Sequence, residues 1–407
     1  MTARAWIFST IAAVLGITGA SCLVDGFELV PSASGGGGGA GAGAGGAAEG
    51  GAGGSGGCTS ATWPDPPPQP DPGVDDVDFV AAIRSIDFGE GAPDLSEEGP
   101  RVGYDLDGRC TCRGAGSSCQ RPAFATATDC DGPGGVDNAG ARLFALVAPF
   151  AKDLSSAYQS ELADKGGWSL LVRVSEYNGK ANDSAVRTAL YPSPGIEADP
   201  CWPPGMAPVW DGNDPWPIDV ASLEDPAGGA GGGAGGDPGA CEGVLGYDYD
   251  KPRYVDTKAY VTGGVLVASL PELGLVLSGD TKTTVVKLTA GFATGRLQKS
   301  AVGWRITDGV LAGRWPTKEI FAAIGGLVSN GGPVCTDDGV YSALKQKACT
   351  FVDIASALGG PTTECDALSL AMGFQAEPAK LGIAWQRTAS VSPCPPETNP
   401  ENDSCGN

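Results

Sequence analysis

Between residues 253 and 315 short apolar segments of four to six residues recur, each ended by glycine, proline or aspartate. They run over 258–261, 265–270, 273–277, 283–288, 301–306 and 310–314. The breaks fall at Gly263-Gly264, Pro271, Gly279-Asp280, Gly291, Gly295 and Asp308-Gly309. A helix of ordinary length does not fit between such breakers, whereas a strand does. Upstream, 168–176 places Leu170, Val172 and Val174 on one face. Asn178-Gly179 then offers a turn, and 185–191 alternates again through Val186, Thr188 and Leu190. That is the pattern of a β-hairpin. Residues 78–88 read as one more strand and 381–386 as the last. The spacing predicts a β-rich (α+β) body, an antiparallel β-sandwich-like fold with a few helices.

The clearest helix begins at Asp137 or Asn138, both good N-caps. Leu143, Val147, Phe150, Leu154, Tyr158 and Leu162 follow at helical spacing, and Gly166-Gly167 end it. Pro149 lies in its middle and predicts a kink or two shorter helices. Two more helices are expected over 317–328 and 337–354.

The N-terminal region cannot join that body. Residues 35–57 hold 15 Gly and 6 Ala in 23 positions. Such a tract has nothing to bury and a large conformational entropy to lose, so it predicts a coil of about 25–30 Å root-mean-square span. Pro-rich residues 63–72 follow and favour extended backbone. The expected organisation is a signal over 1–21, a Gly/Ala/Pro tether over 22–76 and a single domain over 77–393. Residues 225–240 would be a Gly/Ala loop insertion between Cys201 and Cys241, and 394–407 a flexible tail.

Residues 1–22 give an address. Arg4 precedes an apolar stretch over 5–20, then Ser21 and Cys22. This fits a secretory signal. Gly19-Ala20-Ser21-Cys22 resembles the lipobox of bacterial lipoproteins, with Gly19 where that motif usually carries Leu, Val or Ile. The resemblance implies cleavage before Cys22 and a lipid on its thiol. It thus implies an exported protein, anchored to the outer membrane or cell surface, with the periplasmic face as an alternative. An ordinary cleaved signal and an uncleaved anchor are the competing readings. Of 13 cysteines, 12 remain once Cys22 is set aside. An even set in an exported chain predicts disulfides rather than a thiolate metal site at Cys110, Cys112 and Cys119.

Composition narrows the chemistry. The formal net charge is −22 and no Lys/Arg cluster offsets it, so nucleic acid is not an expected partner. The chain has no histidine. That excludes Ser-His-Asp and Cys-His catalysis and His-ligated zinc. Carboxylate chemistry, lysine chemistry or no chemistry remains, and the balance leans against an enzyme. Ser342-Ala343-Leu344-Lys345 matches S-x-x-K but lacks the S-D-N and K-T-G companions of that motif.

Two groups of residues could form sites. Asp105-Leu106-Asp107-Gly108 and Asp129-Cys130-Asp131-Gly132 each set two carboxylates one residue apart before a glycine. Calcium loops use that arrangement because the turn points several oxygens inward. Calcium is the only cofactor the sequence suggests. Trp202, Trp210, Asp211, Asp214 and Trp216 combine aromatic faces with acids, a mixture suited to a glycan. The plainer reading is that these tryptophans pack a Pro-rich loop onto the core. Asp211 with Asp214, or Asp248 with Asp250, could also serve a carboxylate-based glycoside hydrolase. The leading expectation is a lipid-anchored cell-envelope protein with a non-enzymatic binding or structural role.

Overall fold

The computed structural model describes residues 59–406, apart from 93–94, 113–115, 127–129, 149–151, 226–240, 242, 279–282, 330–331, 361 and 387–393. The signal, Cys22, the tract over 35–57, Pro149, Asp129 and most of the Gly/Ala insertion therefore lie outside the described residues.

Among the described residues there are eleven strands: β1 (Val77–Asp87), β2 (Ser169–Tyr177), β3 (Asp183–Ser193), β4 (Pro215–Asp219), β5 (Val255–Thr262), β6 (Val265–Ser278), β7 (Thr283–Lys299), β8 (Trp304–Pro316), β9 (Val328–Ser329), β10 (Gly332–Pro333) and β11 (Ala367–Trp385). The helices are α1 (Leu95–Glu98), α2 (Ala139–Val147), α3 (Ser156–Asp164), α4 (Thr317–Gly325) and α5 (Gly339–Thr350). The order β1-β2-β3-β5-β6-β7-β8-β11 is antiparallel throughout, and β11 pairs back with β1. The sheet closes into an eight-stranded barrel. β4 adds in parallel to the far end of β11, with Lys380 opposite Pro215.

Closure corrects the sandwich expectation. β11 was expected over 381–386 but begins at Ala367. Its first half pairs with β8, from Ala367 opposite Pro316 to Ala376 opposite Ile306. Its middle pairs with β1, from Gly373 opposite Asp87 to Ala379 opposite Val80. A barrel requires such stagger, and one long strand supplies it.

Four of the expected breaks are internal to strands: Pro271 in β6, Gly291 and Gly295 in β7, and Asp308-Gly309 in β8. Pro271 sits inside β6, where β7 pairs on one side while β5 pairs only as far as Val267. A residue without an N–H is tolerated on the unpaired side. Asp308-Gly309 forms a bulge in β8 rather than a turn. Thr307 faces Arg296 and Val310 faces Thr294, so the two residues between them oppose Gly295 alone. The expected hairpin is found as β2 and β3, with Val172 opposite Leu190.

The barrel is filled. Ala81, Val172 and Leu190 lie side by side on its inner face, with Ile83, Leu170, Ala268, Leu311 and Met372 in the same core. α2 joins this core through Leu143 and Phe144, the latter 4.4 Å from the Phe88 ring. α4 adds Ile320 and Phe321. Much of the outer face is covered too. Ala82, Leu171 and Tyr191 carry Trp216, Ile218 and Leu223 on one side. Val310, Ala312 and Ala371 carry Leu106 and Ile354 on another. Strands buried on both faces read as apolar runs with weak alternation.

Disulfides hold these outer layers. Cys112–Cys130, Cys119–Cys365, Cys201–Cys241, Cys335–Cys394 and Cys349–Cys405 are bridged, with Cα separations of 5.1–5.6 Å. Cys110 is oxidised as well. The Cys201–Cys241 bridge closes the base of the segment that contains the Gly/Ala tract. Both ends of the described chain make contacts with the body. Trp63 stacks on Phe292 at 3.8 Å, and the Tyr260 hydroxyl donates to the Pro64 carbonyl at 2.6 Å. Bridges at Cys394 and Cys405 tie down the other end. Among the described residues no helix is long and apolar enough to cross a membrane.

Candidate functional site

The layer outside β8 and β11 gathers buried acids. Asp105 Oδ1 accepts from the backbone N–H of Gly108 at 2.6 Å and of Arg109 at 3.0 Å. Asp107 Oδ1 also accepts from Arg109 N–H, at 2.8 Å. These bonds curl the loop around Gly108, whose φ of 73° suits glycine. Leu106 between them turns inward onto the barrel and is buried. Its N–H donates to Asp137 Oδ2 at 2.7 Å, and its carbonyl accepts from Arg314 Nη2 at 2.8 Å. The apolar residue thus draws its two acidic neighbours towards the sheet.

Asp137 reaches the same place because it is released from capping. Asn138 is the N-cap of α2 and accepts from Ala141 N–H at 3.1 Å. Asp105, Asp107 and Asp137 each present a carboxylate oxygen within 4.8 Å of the others. Asp105 and Asp137 are each only 4% exposed, and Asp107 is more open. Asp131 is buried beside them and accepts from Thr111 N–H. Asp353 borders the cluster and accepts from Ser369 N–H at 2.8 Å and its hydroxyl at 2.5 Å.

Electrostatics mark this group as short of positive charge. Burial, then the charges of Asp107, Asp131 and Asp353, raise Asp137 well above the ordinary carboxylate range. Burial, opposed by the Thr111 hydrogen bond and aided by neighbouring acids, pushes Asp131 up to about 8. Burial also raises Asp107. Arg314 is the cation these acids share, and burial lowers its own pKa. Close buried carboxylates that repel one another are relieved by protons or by a cation. An all-oxygen donor set in an irregular loop suits calcium.

Of the four acids expected to bind calcium, Asp105 and Asp107 are brought together, Asp131 lies alongside, and Asp129 lies outside the described residues. Sequence reasoning missed Asp137, Asp353 and Arg314. Asp137 had a visible signal: two capping residues stand side by side, and a helix needs only one. Asp353 was expected inside a helix over 337–354, but α5 ends at Thr350.

Within the tryptophan group, Trp216 and Asp214 are buried, while Trp202 and Trp210 are half-buried and Asp211 is exposed. Trp216 lies in β4, fully buried, with the Trp210 ring 5.3 Å away. Asp214 is buried and accepts from Val209 N–H at 3.1 Å and Trp210 N–H at 2.6 Å. Those bonds hold Trp210 at a φ of 60°, a left-handed backbone costly for an aromatic residue. The Trp210 indole donates to the Asp164 carbonyl at 3.2 Å, and the Arg84 guanidinium lies 5.2 Å over the ring. The Trp202 indole donates to the Met206 carbonyl at 2.7 Å. Asp211 accepts from Asn213 N–H at 2.9 Å. An aromatic sugar platform needs a free ring face, and Trp216 has none.

The other acid pair serves local structure. Asp248 Oδ1 accepts from Asp250 N–H at 3.0 Å, and Asp250 pairs with Arg173 at 2.6 Å. Within S-x-x-K, Lys345 lies 2.8 Å from both Asp403 oxygens, and Ser342 donates to the Asp338 carbonyl at 3.4 Å. A lysine held as an ion pair is a poor general base. No family model, curated protein or solved structure matches this chain.

Proposed function

We propose that this chain is an exported, lipid-anchored cell-envelope protein whose barrel has a non-enzymatic binding or structural role, and that calcium secures its outer loop layer. The observation that carries the calcium part is the convergence of Asp105, Asp107 and Asp137 within 4.8 Å. Asp131 and Asp353 add negative charge around them. A divalent ion held by the three carboxylates would replace repulsion with attraction and join the 105–108 loop to the start of α2. Since a ligand that binds only the folded state stabilises it, saturating calcium raises the melting temperature.

Isothermal titration of the chelator-treated protein with calcium tests this. The expected result is saturable binding that Asp107→Asn weakens about tenfold or more, with a higher melting temperature in calcium than in chelator. Absence of both heat and thermal shift would overturn the calcium reading.

The anchor rests on separate support: the lipobox-like Gly19-Ala20-Ser21-Cys22 and the disulfides of the body, which suit an oxidising compartment. The bilayer is then the first partner, reached through Cys22. Mass spectrometry of the mature N-terminus decides the matter. A diacylglyceryl-modified Cys22 is expected, and an unmodified Cys22 defeats the anchor.

A further inference from the structure

We propose that a cavity beside α5 is a binding site for a neutral carbohydrate of one or two pyranose units. The cavity has a volume of about 500 Å³, within the range of small-molecule sites. Ser342, Gln346 and Thr350 line one wall, spaced four residues apart along α5. Phe124, Thr126 and Thr336 also line it. The site shares no residue with the acidic cluster and does not depend on calcium.

The floor explains why the ligand is neutral. Lys345 Nζ lies 2.8 Å from both oxygens of Asp403, and their side chains are only 18% and 14% exposed. The Tyr341 hydroxyl donates to Asp403 Oδ2 at 2.8 Å, and Ser404 N–H donates to Oδ1 at 2.7 Å. Among the described lining residues, Lys345 and Asp403 are the charged pair and offset each other. An ionic ligand would have to break that pair, which is costly for partners this enclosed.

The other described lining residues are uncharged. The Tyr341 hydroxyl directs its hydrogen bond to Asp403, which leaves its oxygen able to accept. The Thr350 hydroxyl donates to the Gln346 carbonyl at 2.6 Å and likewise keeps its lone pairs. The hydroxyls of Thr126, Thr336 and Ser342 and the amide of Gln346 can donate or accept. Phe124 supplies an aromatic ring. A pyranose offers the complement, hydroxyls at its edge and C–H bonds on its faces. The frame is also fixed in advance. Cys349–Cys405 lines the cavity and joins α5 to the C-terminal segment, while Cys335–Cys394 lies next to Thr336. A preformed site loses less entropy on binding.

The test is ligand-observed NMR and calorimetry on the full chain. The probes are glucose, galactose, mannose, N-acetylglucosamine, cellobiose, lactose and chitobiose, with phosphate and choline as charged comparators. At least one sugar should bind saturably. Gln346→Ala and Phe124→Ala should each weaken it about tenfold. Gln346 is exposed, so its substitution leaves the fold intact, and an unchanged circular dichroism spectrum checks this. Three results would each overturn the proposal: no saturable sugar binding, sugar binding that neither variant weakens, or tighter binding of a charged comparator than of every sugar.

Discussion

Asn138 has all its hydrogen-bonding groups engaged. Its Nδ2 donates to the carbonyls of Phe88, Val102 and Ala371 at 3.0–3.2 Å. Its Oδ1 accepts from the N–H groups of Ala141 and Ala371, both at 3.1 Å. One buried amide thus joins the end of β1, the acidic loop, the start of α2 and the middle of β11. Asn138→Ala strands several buried backbone groups, each worth about 1–3 kcal/mol. Urea unfolding should show a loss of at least about 3 kcal/mol. Gly309 is a second sensitive position. A Cβ there would lie 2.5 Å from the Phe374 ring, which packs across the bulge of β8. Gly309→Val is expected to cost about 2 kcal/mol or more, read from the shift in denaturation midpoint. Glycine reads as a strand breaker in sequence, but here it makes room for an aromatic ring on the neighbouring strand.

Helix α5 shows how an element depends on chain far from it. Its own sequence is only weakly amphipathic, with Tyr341, Ala348 and Cys349 as its buried residues. Tertiary partners fix it: the bridge to Cys405 and the contacts of Tyr341 and Lys345 with Asp403. Burial opposes ionisation of Asp403. Hydrogen bonds from Lys345 and Tyr341 outweigh it and hold the carboxyl below its ordinary value. A lowered folded-state pKa means that the unfolded chain binds the proton more readily. The contribution is therefore complete above the ordinary carboxylate range and is lost as pH falls through the lowered value. The stability difference between wild type and Asp403→Asn, measured by chemical denaturation, should be largest near neutral pH and vanish in strong acid. The polar, Pro-containing composition of 394–407 suggested a tail because the partners that hold it lie 55 or more residues upstream, as the 56- and 59-residue separations of its bridges record.

At the scale of the whole molecule, a filled barrel carries outer layers that are pinned by cross-links. Cys119–Cys365 spans 246 residues and joins the acidic-loop region to the strand that closes the barrel. By chain entropy a bridge over so long a loop contributes about 5 kcal/mol. The Cys119→Ser/Cys365→Ser pair should therefore unfold several kcal/mol more readily than wild type, seen as a lower denaturant midpoint. Non-reducing digestion should release Cys119 and Cys365 on one cross-linked peptide that reduction separates. Local sequence was enough to determine the β-rich class, the β2–β3 hairpin, two shorter helices α2 and α3 in place of one long one, an oxidised set of cysteines and the pairing of Asp105 with Asp107. Each is set by neighbouring residues: alternation, a turn, a breaker, a parity, a glycine-ended loop. Only the tertiary structure decided that the sheet closes, that Trp216 and Asp214 belong to the interior, and that Asp137 and Asp353 join the acids. β11 is rich in alanine and glycine, whose small side chains give little strand signal yet suit a strand buried on both faces. Its role depends on meeting β8, β1 and β4, and no local pattern encodes such a meeting.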